Sequence, residues 1–457
     1  MERIMRRFGK TSLWLLTLFF IGTVLIYRKL DVEDGENMRG HLIWTDFLVK
    51  KTNNHTCQMK HFEMGIDKLH SNTRTLHSLS NSECSSVYKA FSAMYEVDVF
   101  NATQRFNEDF SKKMTAWLGD KRTLDLAAFQ TVYMVHDTLM QRTTVFNPLR
   151  SKRPVSKSQN SVISYLKNIS DSSKVNCDFC KPFNATAEDI FGRIQGKHSV
   201  SASNAFKLAK WHGLFIPYEH SIFNIDIQIF LDMFNTSLKW FKKVHSIDGN
   251  AKYPVFFWDM FPHAGASQMH VHAHGILGEG HYPGEFEDVI NAVRAFQHKH
   301  NAHYWDAVVQ VYETFDLALR YGNTIIISPL VPRREHELWL LSNEPSSEFF
   351  ALLYNIIKMY QDKMEKYCFS LAGALPALGE KVSDPEESLP SVVYIGTRGD
   401  CSSAVNDVSS LELYLFNNIN TDPYKTIMTL REYLKTFPSK YGNLEELISL
   451  WNNSSKS

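Results

Sequence analysis

Nine residues constrain this chain more than any others: Met269-His270-Val271-His272-Ala273-His274-Gly275-Ile276-Leu277. Histidine alternates with small or apolar residues, the period of a β-strand, so the three imidazoles are expected on one face. Each ring carries polar nitrogens that need partners once buried, which makes three together poor core material. An exposed polar strand face is the plain alternative. With apolar neighbours and Gly265-Ala266-Ser267 just upstream, a site is the better reading.

The chain has 457 residues, enough for two or more domains with real cores. Its 49 basic and 49 acidic residues balance, so no global field points to nucleic acid. Arg3, Arg6, Arg7 and Lys10 precede an uncharged run from Thr11 to Tyr27, with Arg28 and Lys29 directly after. No small-x-small cleavage site follows, and the basic flank places residues 1–10 in the cytosol. The expectation is a signal anchor over 11–27 and a single-pass type II membrane protein, its bulk lumenal (Golgi or endoplasmic reticulum) or extracellular. Sequons at Asn54, Asn101, Asn168, Asn184, Asn235, Asn452 and Asn453 all follow the anchor, which marks a glycoprotein.

Residues 28–145 read as a stem and a helical region, with Thr123 to Met140 at helical spacing. In an oxidising lumen a Cys57–Cys84 disulfide is expected, and Cys368 with Cys401 could form another. A basic, Ser-rich segment leads to Cys177-Asp178-Phe179-Cys180, whose spacing suits a metal, a redox pair or a small disulfide loop. Strands follow around a turn between Ser199 and Pro217, then an amphipathic helix over 222–241, a strand at Tyr253–Trp258 and the histidine strand. After a helix at 286–300 the same order returns: strands near 324–341, a helix over 346–366, a strand at Val392–Ile395 and one at Leu411–Phe416. An internal repeat is therefore expected, with Leu413 and Leu415 where the first copy has histidines. The boundaries drawn are 146–300 for the first half and 301–457 for the second.

The run His270-x-His272-x-His274 resembles the histidine-triad signature. Its setting resembles the galactose-1-phosphate uridylyltransferase branch of that superfamily, in Arg150-x-Lys152-Arg153-Pro154, Cys177-x-x-Cys180, Asn204-x-Phe206, Pro217-x-x-His220 and Gly265-x-Ser267-x-x-His270-x-His272. The resemblance covers roughly residues 145–420. It implies an α/β (α+β) fold of two histidine-triad-like halves, each an antiparallel sheet with packed helices, beside the N-terminal helical region and transmembrane helix. It also implies a zinc ion on Cys177, Cys180, His220 and His270, a closed four-ligand set and so structural. His272 would be the nucleophile, forming a phosphoramidate with a nucleotide, and Ser267 and the Gly265 turn would face the phosphate. Arg150 and Arg153 would meet nucleotide phosphates, and Asn204 and Phe206 would line the nucleoside pocket.

Two residues depart from the uridylyltransferase pattern. His274 stands where that pattern has Gln, which makes transfer to water or phosphate as natural as transfer to a sugar phosphate. Asp259 stands where Asn is expected, placing a carboxylate near the nucleotide phosphate. The reading is a nucleotidyltransferase or nucleotide hydrolase acting on a nucleotide sugar or related nucleotide. The partners it implies are that substrate, the membrane through the anchor, no nucleic acid, and a second copy of the chain in a homodimer. The alternatives are a catalytically retired relative that only binds, and a type II lumenal glycosyltransferase.

Overall fold

The structure is a computed structural model that describes residue 57 and residues 62–79, 82–119, 121–152, 161–379, 388–403 and 405–441. The strands are β1 (Tyr95–Thr103), β2 (Phe129–Asp137), β3 (Arg142–Phe146), β4 (Ser199–Ser203), β5 (His212–Pro217), β6 (Ala251–Asp259), β7 (Ala273–Glu279), β8 (Ala318–Tyr321), β9 (Thr324–Ile327), β10 (Leu338–Ser342), β11 (Phe369–Ala374), β12 (Ser391–Thr397) and β13 (Asn417–Ile419). They form two sheets. One has the order β1-β2-β3-β13, and the other has nine strands in the order β4-β5-β7-β6-β11-β12-β10-β9-β8.

The longer helices cap and pack as their sequences require. Helix α1 (Ile227–Ile247) is capped by the Asp226 side chain, which accepts from the Ile229 N–H. Its counterpart α2 (Ser347–Met364) is capped by Ser346 in the same way. Phe234 of α1 stacks on Phe350 of α2, ring centroids 4.5 Å apart. Both helices cover one face of the nine-stranded sheet, where Gly213 and Gly275 make room for them: a methyl at Gly275 would lie 2.7 Å from the Phe215 ring and 3.0 Å from Phe241. Gly275→Ala is therefore expected to cost about 1–3 kcal/mol through overpacking, read from the urea midpoint.

The expected repeat is present as strand order, but the two halves share one sheet. β6 pairs antiparallel with β11, Trp258 opposite Leu371, so the halves join edge to edge. The strand corresponding to β7 is β12, which lies between β11 and β10 as β7 lies between β6 and β5. The expected strand at 411–416 is instead a short helix, Ser410–Tyr414, begun by a capping box of Ser409 and Glu412. That Ser-x-x-Glu pattern outweighs the alternation of Leu413 and Leu415. The helix expected over 123–140 ends at Ala128, and Phe129–Asp137 continues as β2 paired with β1 and β3. The disulfides Cys57–Cys84 and Cys368–Cys401 are both formed.

The membrane topology needs correction. Among the described residues no helix is long and apolar enough to cross a membrane, and the 11–27 segment that carried the expectation lies outside them. The single-pass type II, lumen-facing assignment is withdrawn, and with it the glycosyltransferase alternative that rested on topology. Asn101, Asn168 and Asn184 are exposed, whereas Asn235 is buried on α1 with no room for a glycan, which removes it from the acceptor set. Asn54, Asn452 and Asn453 lie outside the described residues.

Candidate active site and metal centre

The face of β4, β5, β7 and β6 turned away from α1 carries two polar clusters. The first is Cys177, Cys180, His220 and His270, whose ligand atoms all lie within 4.8 Å of one another. Cys177 caps and Cys180 ends the tight turn Asp178–Cys180, His220 follows β5, and His270 precedes β7. The ladder is shorter than the expected strand and begins at Ala273. Pro217 ends β5, its carbonyl faces His270 Nε2, and the Val271 N–H bonds to the His220 carbonyl beyond the strand. This departure from the ladder brings the two imidazoles together.

His270 Nε2 is 2.7 Å from the Pro217 carbonyl, and His220 Nε2 is 3.0 Å from that of Ser170. A carbonyl only accepts, so both rings carry hydrogen on Nε2 and turn an Nδ1 lone pair inward. The two Nδ1 atoms are 3.2 Å apart; Cys180 Sγ lies 3.3 Å from that of His220 and 3.5 Å from that of His270, and Cys177 Sγ lies 3.4 Å from that of His270. Lone pairs facing at that distance repel unless a cation lies between them. A tetrahedral zinc with nitrogen and sulfur ligands would set neighbouring donors roughly 3.3–3.8 Å apart. Burial, then the neighbouring Cys177, pushes the Cys180 thiol up to about 11, so that thiolate calls for a positive charge beside it. Both ring-to-carbonyl bonds are the outer support that metal-ligating histidines require. The residues fit a metal ion.

The second cluster is His272, His274 and their neighbours. His272 is buried, and its Nδ1 lies 2.8 Å from the His270 carbonyl. That fixes hydrogen on Nδ1 and leaves Nε2 with a free lone pair. Burial holds the His272 pKa below the ordinary histidine value, which keeps the ring neutral. Phe179, between the two cysteines, meets His272 edge-on at 5.0 Å. His274 stacks on Phe257 with centroids 4.6 Å apart and lies 5.0 Å from the His272 ring.

The turn ahead of these histidines is strained. Phe261 has φ 70° although it is not glycine, and Gly265 has φ 110°. Asp259 faces this turn, and its charge has partners: Ser370 donates to it at 2.5 Å, and Arg398 donates to Ser370 and to the Ala264 carbonyl, each at 2.9 Å. Burial pushes the Asp259 carboxyl up while Ser370 and Arg398 pull it down. Arg398 follows β12 and Ser370 is on β11, so the second half braces the turn. Arg398→Ala frees the Ala264 carbonyl and leaves Asp407 without its partner at 2.9 Å. The expected loss is about 1–3 kcal/mol, read by thermal unfolding.

Not every expected residue joins the clusters. Ser267 and Gly265 are on the turn and exposed; Asn204 accepts from the Phe206 N–H at 2.9 Å but does reach the second cluster, its Nδ2 3.2 Å from His212 Nε2. Phe206 is 89% exposed at the tip of the β4–β5 hairpin. Arg150 is exposed on the turn Pro148–Lys152 after β3 and makes no hydrogen bond or ion pair with the histidines; Arg153 lies outside the described residues. Sequence reading missed His212, whose Nε2 is 3.1 Å from His274 Nδ1. Its place two residues before Leu214 on a strand was the available signal. Arg398 and Ser370 left no local signal.

In the second half the matching face is filled. Arg333 lies over the Tyr394 ring at 4.4 Å and pairs with Glu337 and Glu285, and Tyr394 stacks on Phe286.

Burial, then Lys207, lowers His212 to about 4 from the ordinary 6.5; burial, then the His272 and His212 rings, lowers His274 to about 3. On acidification the unfolded chain binds these protons first. The contribution of the neutral rings is whole above pH 6.5 and is lost as pH falls towards about 4 for His212 and about 3 for His274. The urea midpoint is expected to climb across that window, less steeply in His212→Asn.

No family model matches the chain, and neither does any curated protein. Among solved structures it is similar to an ADP-glucose phosphorylase from Arabidopsis thaliana with bound ADP-glucose, at 13% identity and TM-score 0.50, over 66% of this chain and 99% of that one. A galt-like protein from the same plant aligns at 13% identity and TM-score 0.48, over 66% and 98%. A uridylyltransferase aligns at 12% and 0.44, over 53% and 87%. At these identities the first likeness shows a shared fold and nothing of the chemistry.

Proposed function

We propose that this chain is a nucleotidyltransferase or nucleotide hydrolase that acts on a nucleotide sugar or a related nucleotide through a covalent His272 intermediate. The observation that carries the reading is the 2.8 Å bond from His272 Nδ1 to the His270 carbonyl, which presents a neutral Nε2 as nucleophile. The Nε2 lone pair attacks the α-phosphorus, the phosphorus–oxygen bond to the leaving group breaks, and its electron pair departs on that oxygen. The imidazole gains positive charge as the bond forms, and the His270 carbonyl stabilises the Nδ1–H side. An oxygen of the acceptor then displaces the histidine, breaking the phosphorus–nitrogen bond. Ser267, through its hydroxyl and its own N–H, would face the phosphoryl oxygens, since the Ala264, Gly265 and Ala266 N–H groups donate within the turn.

Cys177, Cys180, His220 and His270 would hold a zinc ion. With all four positions taken by protein, its contribution there is structural. Arg150 and Arg153 remain candidates for the distal phosphates, and Asn204 and Phe206 for the nucleoside. The carboxylate of Asp259 counts less against catalysis than its charge suggests, since Ser370 donates to it and Arg398, which donates to Ser370, stands behind that hydroxyl.

The test is intact-mass measurement after brief mixing with UDP-, GDP- and ADP-sugars and dinucleoside polyphosphates, quenched in alkali because phosphoramidates are acid-labile. A nucleoside-monophosphate adduct that is absent in His272→Ala supports the reading and names the base. Neither adduct nor turnover with any donor, in zinc-replete protein, overturns it in favour of a binding protein that has lost catalysis.

A further inference from the structure

The proposed chemistry makes no use of the smaller sheet, whose outermost strand β1 pairs only with β2. The Thr138 N–H bonds to the Met94 carbonyl at 2.9 Å, and the Gln104 N–H bonds to the Ala128 carbonyl at 3.0 Å. Bonded residues alternate along an antiparallel ladder, and Tyr95 stands opposite Asp137. The even-numbered residues of β1 therefore bond to β2. Val97, Val99 and Asn101 aim their N–H and C=O groups at the free edge, where no strand among the described residues meets them. Beside that edge lies a cleft of about 670 Å³, a size typical of ligand sites. Residues 95–98 of β1 line one side of it. The helix Leu69–Ser78 lines the other and presents His70, Arg74 and His77 one turn apart. The Tyr88 ring, 4.5 Å from that of His77, joins this wall to the helix Ser82–Met94. Arg74 is exposed and meets no carboxylate among the described residues.

The two faces of β1 differ in charge. Tyr95 and Val97 turn towards the core on which the helix Leu69–Ser78 packs, while Glu96 and Asp98 are exposed on the opposite face. An open strand edge beside a helix is a geometry that takes up an extended peptide as an added strand. Alternate side chains of such a strand would face Arg74 and the histidine N–H groups on one side, and Glu96 and Asp98 on the other. We propose that the β1 edge binds an extended segment of a partner protein in which acidic and basic residues alternate, the acids towards the helix and the bases towards Glu96 and Asp98. A second copy of β1 fits this edge less well, because the strand carries no base to offer those two carboxylates. The proposal is independent of the nucleotidyl-transfer reading.

The test is fluorescence anisotropy on the full chain with two labelled dodecapeptides of equal composition, one alternating Glu-Lys and one repeating Glu-Glu-Lys-Lys. The alternating peptide is expected to bind about tenfold tighter, because the blocked one puts half its charges on the wrong face in any register. Arg74→Glu is expected to weaken binding by about tenfold with an unchanged unfolding midpoint, since the side chain is exposed. N-methyl groups on one alternate set of peptide residues are expected to abolish binding, and those on the other set to leave it intact, because only one set turns its N–H towards β1. Equal binding of the two peptides, binding of neither, an unchanged affinity in Arg74→Glu, or the same response to both methylated sets overturns the proposal. A dimer in sedimentation that the alternating peptide does not dissociate gives the edge to a second copy and overturns it as well.

Discussion

His272→Ala is expected to lower turnover by about 10⁴-fold or more, to the level that phosphate-binding groups sustain without a nucleophile. The fall should appear in kcat, because the ring makes its decisive contact only as the phosphorus–nitrogen bond forms. Folding should survive: the rest of the turn is held by Val271, whose N–H bonds to the His220 carbonyl, and by Ala273 in the sheet. Unfolding curves and turnover taken on the same preparation separate the two effects. A folded His272→Ala protein that keeps its activity would mean that chemistry proceeds without a histidine intermediate.

The second large effect is expected at the metal cluster. Cys180→Ser removes a thiolate and leaves two inward lone pairs, on His220 and His270, with a weakened cation site. Metal content is expected to drop from about one zinc per chain to a small fraction, and stability by several kcal/mol, since metal affinity and folding free energy are linked here. His270 ties this cluster to the proposed nucleophile because its carbonyl holds His272. Activity is therefore expected to fall with the metal, and chelation of the wild type should do the same reversibly. Elemental analysis and thermal unfolding measure both. A metal-free protein with unchanged melting and turnover would leave the cluster without its proposed structural role.

Much of the site was legible because its signals are local. The histidine alternation, the Cys177–Cys180 spacing and Pro217-x-x-His220 each lie within a few residues, and all four proposed ligands converge. The two long amphipathic helices and the strands of the first half were legible for the same reason, whereas β11 was not expected and the second-half counterpart of β7 was placed at 411–416 instead of at β12. What local reading missed depends on contacts between distant segments. Arg398 reaches the Ala264 carbonyl across 134 residues, and no pattern around either residue announces it. At 411–416 the apolar alternation pointed to a strand, yet Leu413, Tyr414 and Leu415 are exposed, so no burial favours a strand there. The cap at Ser409 decides the local structure instead. Asp259 looked like a defect because a sequence gives its charge but not its neighbours.

The smaller sheet closes with β13 alongside β3, Asn417 opposite Thr144, in a parallel pair. The Ile66 N–H likewise bonds to the Asp422 carboxylate, 356 residues later in the chain. A ribosome that has released the first three hundred residues has therefore delivered every proposed ligand and histidine of the site, but not the partner that covers the edge of β3. Until the last segment emerges, that edge is open to other strands. Nascent chains stalled before residue 417 should be the species that chaperones hold and that aggregate, even though their proposed site residues are already present.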